Sequence, residues 1–221
     1  DGHGKVKAIK VKETDEIINC DYVGLTPGVS PNISFLKNSG IEIDRGVVVN
    51  RNLQTNYEHI YAIGDCAQQK KPIGNRPPIE AVWYTGRMMG EVVAQTICGN
   101  KTDYNPGNWF NSAKFLDIEY QTYGWVFNQP KEGDDDFYWK HPTENICIHI
   151  HFEKANRKFK GINTFGIRLR HETIDKWLNE QRSVDYVIKH FLKANFDPEF
   201  YIDHTKKIQQ SFQEKQNKAT V

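Results

Sequence analysis

The pair Gly64-Asp65 closes an apolar run, Ile60-Tyr61-Ala62-Ile63, and each residue brings a separate chemical use. Glycine has no Cβ, so a ligand can approach the backbone closely. An aspartate at the carboxyl end of a parallel strand faces the crevice where α/β folds bind ligands. Its carboxylate would accept a hydrogen bond from a sugar or polyol hydroxyl. A second group follows in Pro77-Pro78-Ile79-Glu80-Ala81-Val82-Trp83, which leads into a long helical pattern. Ala81, Val82 and Trp83 then stand where backbone N–H groups lack intrahelical partners and the helix end carries partial positive charge. Trp83 adds an aromatic face. Glu80 at this place is either ordinary capping chemistry or a charge that tunes a bound group.

Three further constellations are weaker. His149-x-His151 with Glu153 sets three potential zinc ligands on one strand face. Alternating histidines on a half-exposed strand more often pack or face solvent, so no metal is assigned. His141-Pro142-Thr143-Glu144 is explained by a turn before a strand. Cys66 fits a small buried residue. No residue is assigned as catalytic.

The elements that must hold these groups follow from periodicity. Ile60 to Ile63 is expected as a short buried strand. Gly46 to Asn50 is a second strand, rich in β-branched residues. Val6 to Val11 and Glu16 to Asn19 are half-exposed strands, and Phe35 to Gly40 is a short helix closed by Gly40. Gln68 to Pro78 reads as a loop, and Glu80 to Cys98 as a helix in which Gly86, Gly90 and Ala94 form a smooth stripe for close packing. Composition shifts at Tyr104. Lys114 to Tyr120, Gly124 to Phe127, Asp136 to Lys140, Ile146 to Phe152 and Lys158 to Phe165 read as strands. Helices follow over His171 to Glu180, after Ser183 as an N-cap, and over Asp203 to about Gln216, the last polar and fraying. Strands then helices indicate an α+β unit.

Composition excludes several classes. The chain has 221 residues and a formal net charge of +1, which gives no electrostatic footprint for nucleic acid. Its mean hydropathy of −0.68 implies a very polar surface. The four cysteines, Cys20, Cys66, Cys98 and Cys147, form no Cys-x-x-Cys and no disulfide framework, as a reducing compartment would favour. No apolar run is long enough to span a bilayer. A cytoplasmic protein is the expectation.

The run from His59 to Ala67 resembles the second flavin motif of the FAD-dependent pyridine nucleotide-disulphide oxidoreductases, an apolar-Tyr-Ala-x-Gly-Asp pattern. Cys20-Asp21-Tyr22-Val23-Gly24-Leu25-Thr26-Pro27-Gly28-Val29-Ser30-Pro31-Asn32 is similar to the family's junction between its NAD and FAD domains, with Thr26-Pro27-Gly28 in place of Ala-Thr-Gly. The segment Trp109 to Gly124 resembles the start of the C-terminal domain. The resemblance implies an α/β fragment of an FAD-binding, two-dinucleotide-domain fold followed by an α+β C-terminal domain. It divides the chain into residues 1–32 (tail of the NAD domain and junction), 33–103 (second half of the FAD domain) and 104–221 (interface or dimerisation domain). It makes Asp65 the ribitol ligand beside Gly64, and it places Ala81, Val82 and Trp83 at the pyrimidine edge of the flavin. It implies FAD and NAD(P)H as cofactors, an unidentified electron acceptor, and a homodimer. The NADH oxidase, nitrite reductase and ferredoxin or rubredoxin reductase branch fits better than the glutathione reductase branch.

No Gly-x-Gly-x-x-Gly occurs in the chain, although a dinucleotide pyrophosphate site needs such a loop. The chain also opens at Asp1-Gly2-His3-Gly4 without Met. It is therefore expected to be the C-terminal part of a longer flavoprotein, its partner being the N-terminal part of the same chain. The alternative is a non-catalytic interaction or assembly module derived from a flavoprotein. Two glycine-rich loops upstream would favour the enzyme.

Overall fold

The computed structural model of the chain describes residues 3–196 and 202–219; the opening Asp1-Gly2 and the remaining residues of the expected last domain lie outside them. Among the described residues there are two small sheets and one larger one. Strands β1 (Ala8–Lys10) and β2 (Ile17–Asn19) form an antiparallel pair. Strands β3 (Val47–Val49) and β4 (Ala67–Gln69) form a parallel pair, with Val47 opposite Ala67. Helix α1 (Trp83–Ile97) packs beside this pair. The apolar cluster here joins Val47, Val49, Leu53, Ala62, Ala67 and Tyr104 to Met89 and Val93 of α1.

Strand β4 was not foreseen, because Ala67-Gln68-Gln69 is polar and lies where the sequence suggests a loop. Its ladder to β3 is what makes it a strand. The reverse holds for Ile60 to Ile63. Only Tyr61 is bridged, to Gln54, and of the four only Ala62 is buried. The stretch is extended but not an interior strand, since no ladder within the described residues lies on its other side. Phe35 to Gly40 reduces to a 3-10 turn over Ser34–Leu36 that ends at Lys37, with Asn38 and then Gly40 in left-handed conformations of φ +70° and +83° beyond it.

The second half is a five-stranded antiparallel sheet in the order β5-β6-β9-β8-β7. The strands are β5 (Phe110–Phe115), β6 (Ile118–Gly124), β7 (Asp134–Lys140), β8 (Cys147–Glu153) and β9 (Phe159–Phe165). The expected strand over Lys114 to Tyr120 is instead a hairpin turn, where Leu116 takes a φ of +51°. Gly124 ends β6, so the expected strand from Gly124 to Phe127 does not form. One face follows strand alternation. Phe137 and Trp139 lie beside Ile148, Ile150 and Phe152, then Phe159 and Ile162, all buried.

Helices cover that face. They are α2 (His171–Asn179), α3 (Val184–Lys189) and α4 (Thr205–Ala219). Ser183 caps α3 as its side chain predicts, its hydroxyl accepting the Tyr186 N–H at 3.2 Å. Helix α4 is less peripheral than its polarity suggests. Ile208 and Phe212, four residues apart, are buried, and the Phe212 ring meets Phe137 edge-on at 5.0 Å. No helix among the described residues is long and apolar enough to cross a membrane.

Candidate functional site

Gly64-Asp65-Cys66 forms a single 3-10 turn between the extended Ile60–Ile63 stretch and β4. Gly64 has a φ of +73°, and nothing lies within 4 Å of where its Cβ would stand. Both facts suit a corner that must stay open. The Asp65 carboxylate is exposed. The Cys66 thiol is half-buried and donates to the Ile63 carbonyl at 3.5 Å, which is a local structural role.

The glycine stripe of α1 faces this corner. A Cβ at Gly86 would touch the Gly64 Cα at 3.4 Å, and one at Gly90 would reach the Ile63 side chain at 3.8 Å. The Gly64 N–H points at the Met89 sulphur at 3.3 Å. The first two turns of α1 are therefore packed directly on Ile63 and Gly64.

The helix begins at Trp83 rather than near Glu80. Val82 is its N-cap, with no side-chain capping bond. Valine is among the poorest N-caps. The first α-helical bond runs from the Gly86 N–H to the Val82 carbonyl at 3.1 Å, which leaves the Trp83, Tyr84 and Thr85 amides ahead of it. The Val82 N–H is turned back to the Glu80 carbonyl at 2.9 Å, and Ala81 is exposed beside it. Thr85 spends its hydroxyl inward, donating toward the Val82 and Glu80 carbonyls. Trp83 is 69% exposed, so it is not the core aromatic it could have been, and Ile63 beside the glycine corner is 40% exposed. An uncapped helix end, an open carboxylate and exposed apolar side chains thus share one place.

Glu80 has a different task from capping. It takes both oxygens to one guanidinium nitrogen of Arg76, at 2.8 and 2.9 Å, and the two side chains are only 5% and 6% exposed. The other terminal nitrogen of Arg76 donates to the Pro106 and Gly107 carbonyls at 3.3 and 3.2 Å. The guanidinium also lies over Trp109, 5.5 Å from the ring centroid. This pair fastens the approach to α1 onto the segment that leads to the second sheet. Sequence reading missed Arg76, since its position in a Pro- and Gly-rich stretch says nothing of burial.

The weaker constellations resolve as follows. His141 is buried at the β7–β8 turn, where its Nδ1 accepts the Thr143 and Glu144 N–H groups at 3.4 and 3.2 Å. That is turn chemistry, as expected. His149 and His151 do share a face, but Glu153 does not join them. A bulge between His151 and Phe152 breaks the alternation, and the Glu153 carboxylate accepts from Asn156 at 2.6 Å. Asp136 of β7 takes its place, bonded to His149 Nε2 at 2.7 Å. Burial pushes the His151 imidazole below its ordinary pKa; His149 adds to this and Asp136 opposes it.

Residues 1–94 match the profile of the pyridine nucleotide-disulphide oxidoreductases. The chain is 35% identical over 124 residues to a ferredoxin–NAD(P)(+) reductase of a Sphingomonas species, a match covering 55% of this chain and 29% of that protein. It is 33% identical over 188 residues to the assimilatory nitrate reductase electron transfer subunit of Bacillus subtilis, covering 84% of this chain and 22% of the relative. The chain thus spans under a third of either curated relative. Among solved structures, an NAD-dependent persulfide reductase from A. fulgidus superposes with a TM-score of 0.67 at 20% identity, over 92% of this chain and 40% of that one. That likeness shows the fold. These matches place residues 1–94, which hold the Gly-Asp corner and most of the helix docked on it, in the pyridine nucleotide-disulphide oxidoreductase family.

Proposed function

We propose that the chain is the C-terminal part of an FAD-dependent NAD(P)H oxidoreductase, the acceptor being a further redox partner or small molecule. The observation that carries this is the packing of Gly64 on Gly86 and Met89 in the first two turns of α1, a helix whose leading amides have no side-chain cap. The residues present fit FAD: Gly64 leaves an open corner, Asp65 offers an exposed carboxylate, and three amides end in no side-chain cap. Bound FAD would supply hydride acceptance and onward electron transfer, chemistry that side chains lack.

The chain's own residues would hold and tune it. Asp65 would accept hydrogen bonds from ribitol hydroxyls, with Gly64 allowing the backbone approach. The first amides of α1, from Trp83 onward, would face the ring edge where negative charge gathers, and fixed dipoles there cost no reorganisation. Ala81 and Val82 would line that edge through their exposed surface, since the Val82 N–H is already used. Trp83 would lay its ring against the ligand and exclude water. The pyrophosphate loop, absent from these 221 residues, would come from elsewhere in the protein. Residues 1–32, 33–103 and 104–221 would serve as junction, flavin half-domain and interface domain, the last pairing two copies.

Flavin content tests this. The full-length protein should purify yellow, and NADH or NADPH should bleach it. Asp65→Ala should lower the ratio of FAD to protein several-fold while the circular dichroism stays unchanged. An unchanged ratio would remove Asp65 from the site and the reading with it.

A further inference from the structure

The second sheet carries a cluster that the flavin reading does not use. Asp136 on the edge strand β7 lies directly across from His151 on β8, and His149 sits two residues along, on the same face. One ligand atom from each of the three lies within 4.8 Å of the others. The two imidazoles meet edge-on with centroids 4.7 Å apart. His151 is 1% exposed, and neither ring nitrogen has a well-aligned hydrogen-bond partner among the described residues, only the Phe127 backbone lying near enough to act on the ring. A buried polar group without a well-formed hydrogen bond is costly, and a native structure has to have a reason for it.

A metal ion supplies that reason. We infer that Asp136, His149 and His151 form a zinc site, with the fourth position open to water. Imidazole and carboxylate together suit zinc, and three protein ligands plus one open position is a common arrangement for it. Ligand atoms around tetrahedral zinc stand roughly 3.3 Å apart, from bonds of about 2.0–2.1 Å. His149 and Asp136 are closer than that now, as a hydrogen bond of 2.7 Å joins them. Zinc would replace that hydrogen bond, His149 binding through Nε2 with its remaining proton on Nδ1 and any second proton released to water, and small side-chain rotations would bring in His151.

Three carboxylates and two lysines surround the site, which leaves it acidic. Lys215 of α4 lies 3.5 Å from Asp136 Oδ1 and 3.7 Å from Asp135. Asp134 is paired with Lys160 at 2.8 Å. Lys215 is half-exposed and also donates to the Asp136 backbone carbonyl, a bond that it can keep while a cation occupies the carboxylate. The bound ion would clamp β7, an edge strand held by one neighbour, to β8.

The test uses the full-length protein, stripped with a chelator, dialysed, and titrated with zinc against a chromogenic indicator. Wild type should bind one equivalent in this site. Asp136→Asn keeps the shape of the side chain, and His149→Ala removes a partly exposed ligand, so neither depends on emptying the buried His151 position. Each should weaken uptake more than ten-fold, and zinc should raise the Tm of wild type but not of Asp136→Asn. No uptake by wild type, or uptake that survives in either variant, overturns the assignment. The readout is independent of flavin content, so its failure leaves the Asp65 reading untouched.

Discussion

Replacing Glu80 by alanine gives the sharpest test of how the site is held. Arg76 and Glu80 are almost completely withdrawn from water, and both carboxylate oxygens bond the guanidinium. Removing one partner of a buried pair leaves an uncompensated charge, which costs about 3–5 kcal/mol. Here the lower end applies. The Pro106 and Gly107 carbonyls and the Trp109 ring still receive the guanidinium after Glu80 is gone. The expected loss is about 3 kcal/mol, a large share of the roughly 5–15 kcal/mol that a domain has. Urea unfolding of Glu80→Ala, Arg76→Met and the Arg76→Met/Glu80→Leu double variant measures it. The double variant should fall near wild type, because apolar groups of similar volume replace a buried pair at little cost. A loss under about 1 kcal/mol for Glu80→Ala, or single effects that simply add in the cycle, would refute the claim that this pair anchors the approach to α1.

Two more outcomes follow from the packing and the titrations. Gly90→Ala should raise stability by about 0.5–1 kcal/mol, since the added methyl makes an ordinary 3.8 Å contact with Ile63 and removes a helix-interior glycine; a loss in urea unfolding would show that the stripe is tighter than described. Burial pushes His204 below the ordinary histidine value of 6.5, His141 and Lys207 adding to it while Glu144 and Asp203 oppose. The unfolded chain then binds the proton more readily than the folded one, so the contribution is complete above about pH 6.5 and is lost as pH falls through the folded pKa. His204→Phe, which keeps an aromatic ring against Trp139, should flatten part of the stability slope below that pH; an unchanged slope would remove His204 as its source.

Local chemistry was legible in the chain wherever a residue's neighbours in sequence are also its neighbours in space. The Ser183 cap, the turn at His141, the helical period of α1 with its glycine stripe, and the alternation of β7 to β9 are of this kind, because backbone geometry alone sets their spacing. So is the Gly64-Asp65 corner, whose positive φ only glycine takes without strain. Burial and pairing were decided elsewhere. Strand β4 exists because β3 lies beside it, and within Ile60 to Ile63 only Ala62 is fully buried in the core while Ile60 and Ile63 stay exposed. Arg76 and Glu80 became a buried pair, Ile208 and Phe212 became core, and Asp136 reached His149 from the next strand. Each depends on contacts between distant parts of the chain, and such contacts arise from the arrangement of the elements, which no single stretch of residues encodes.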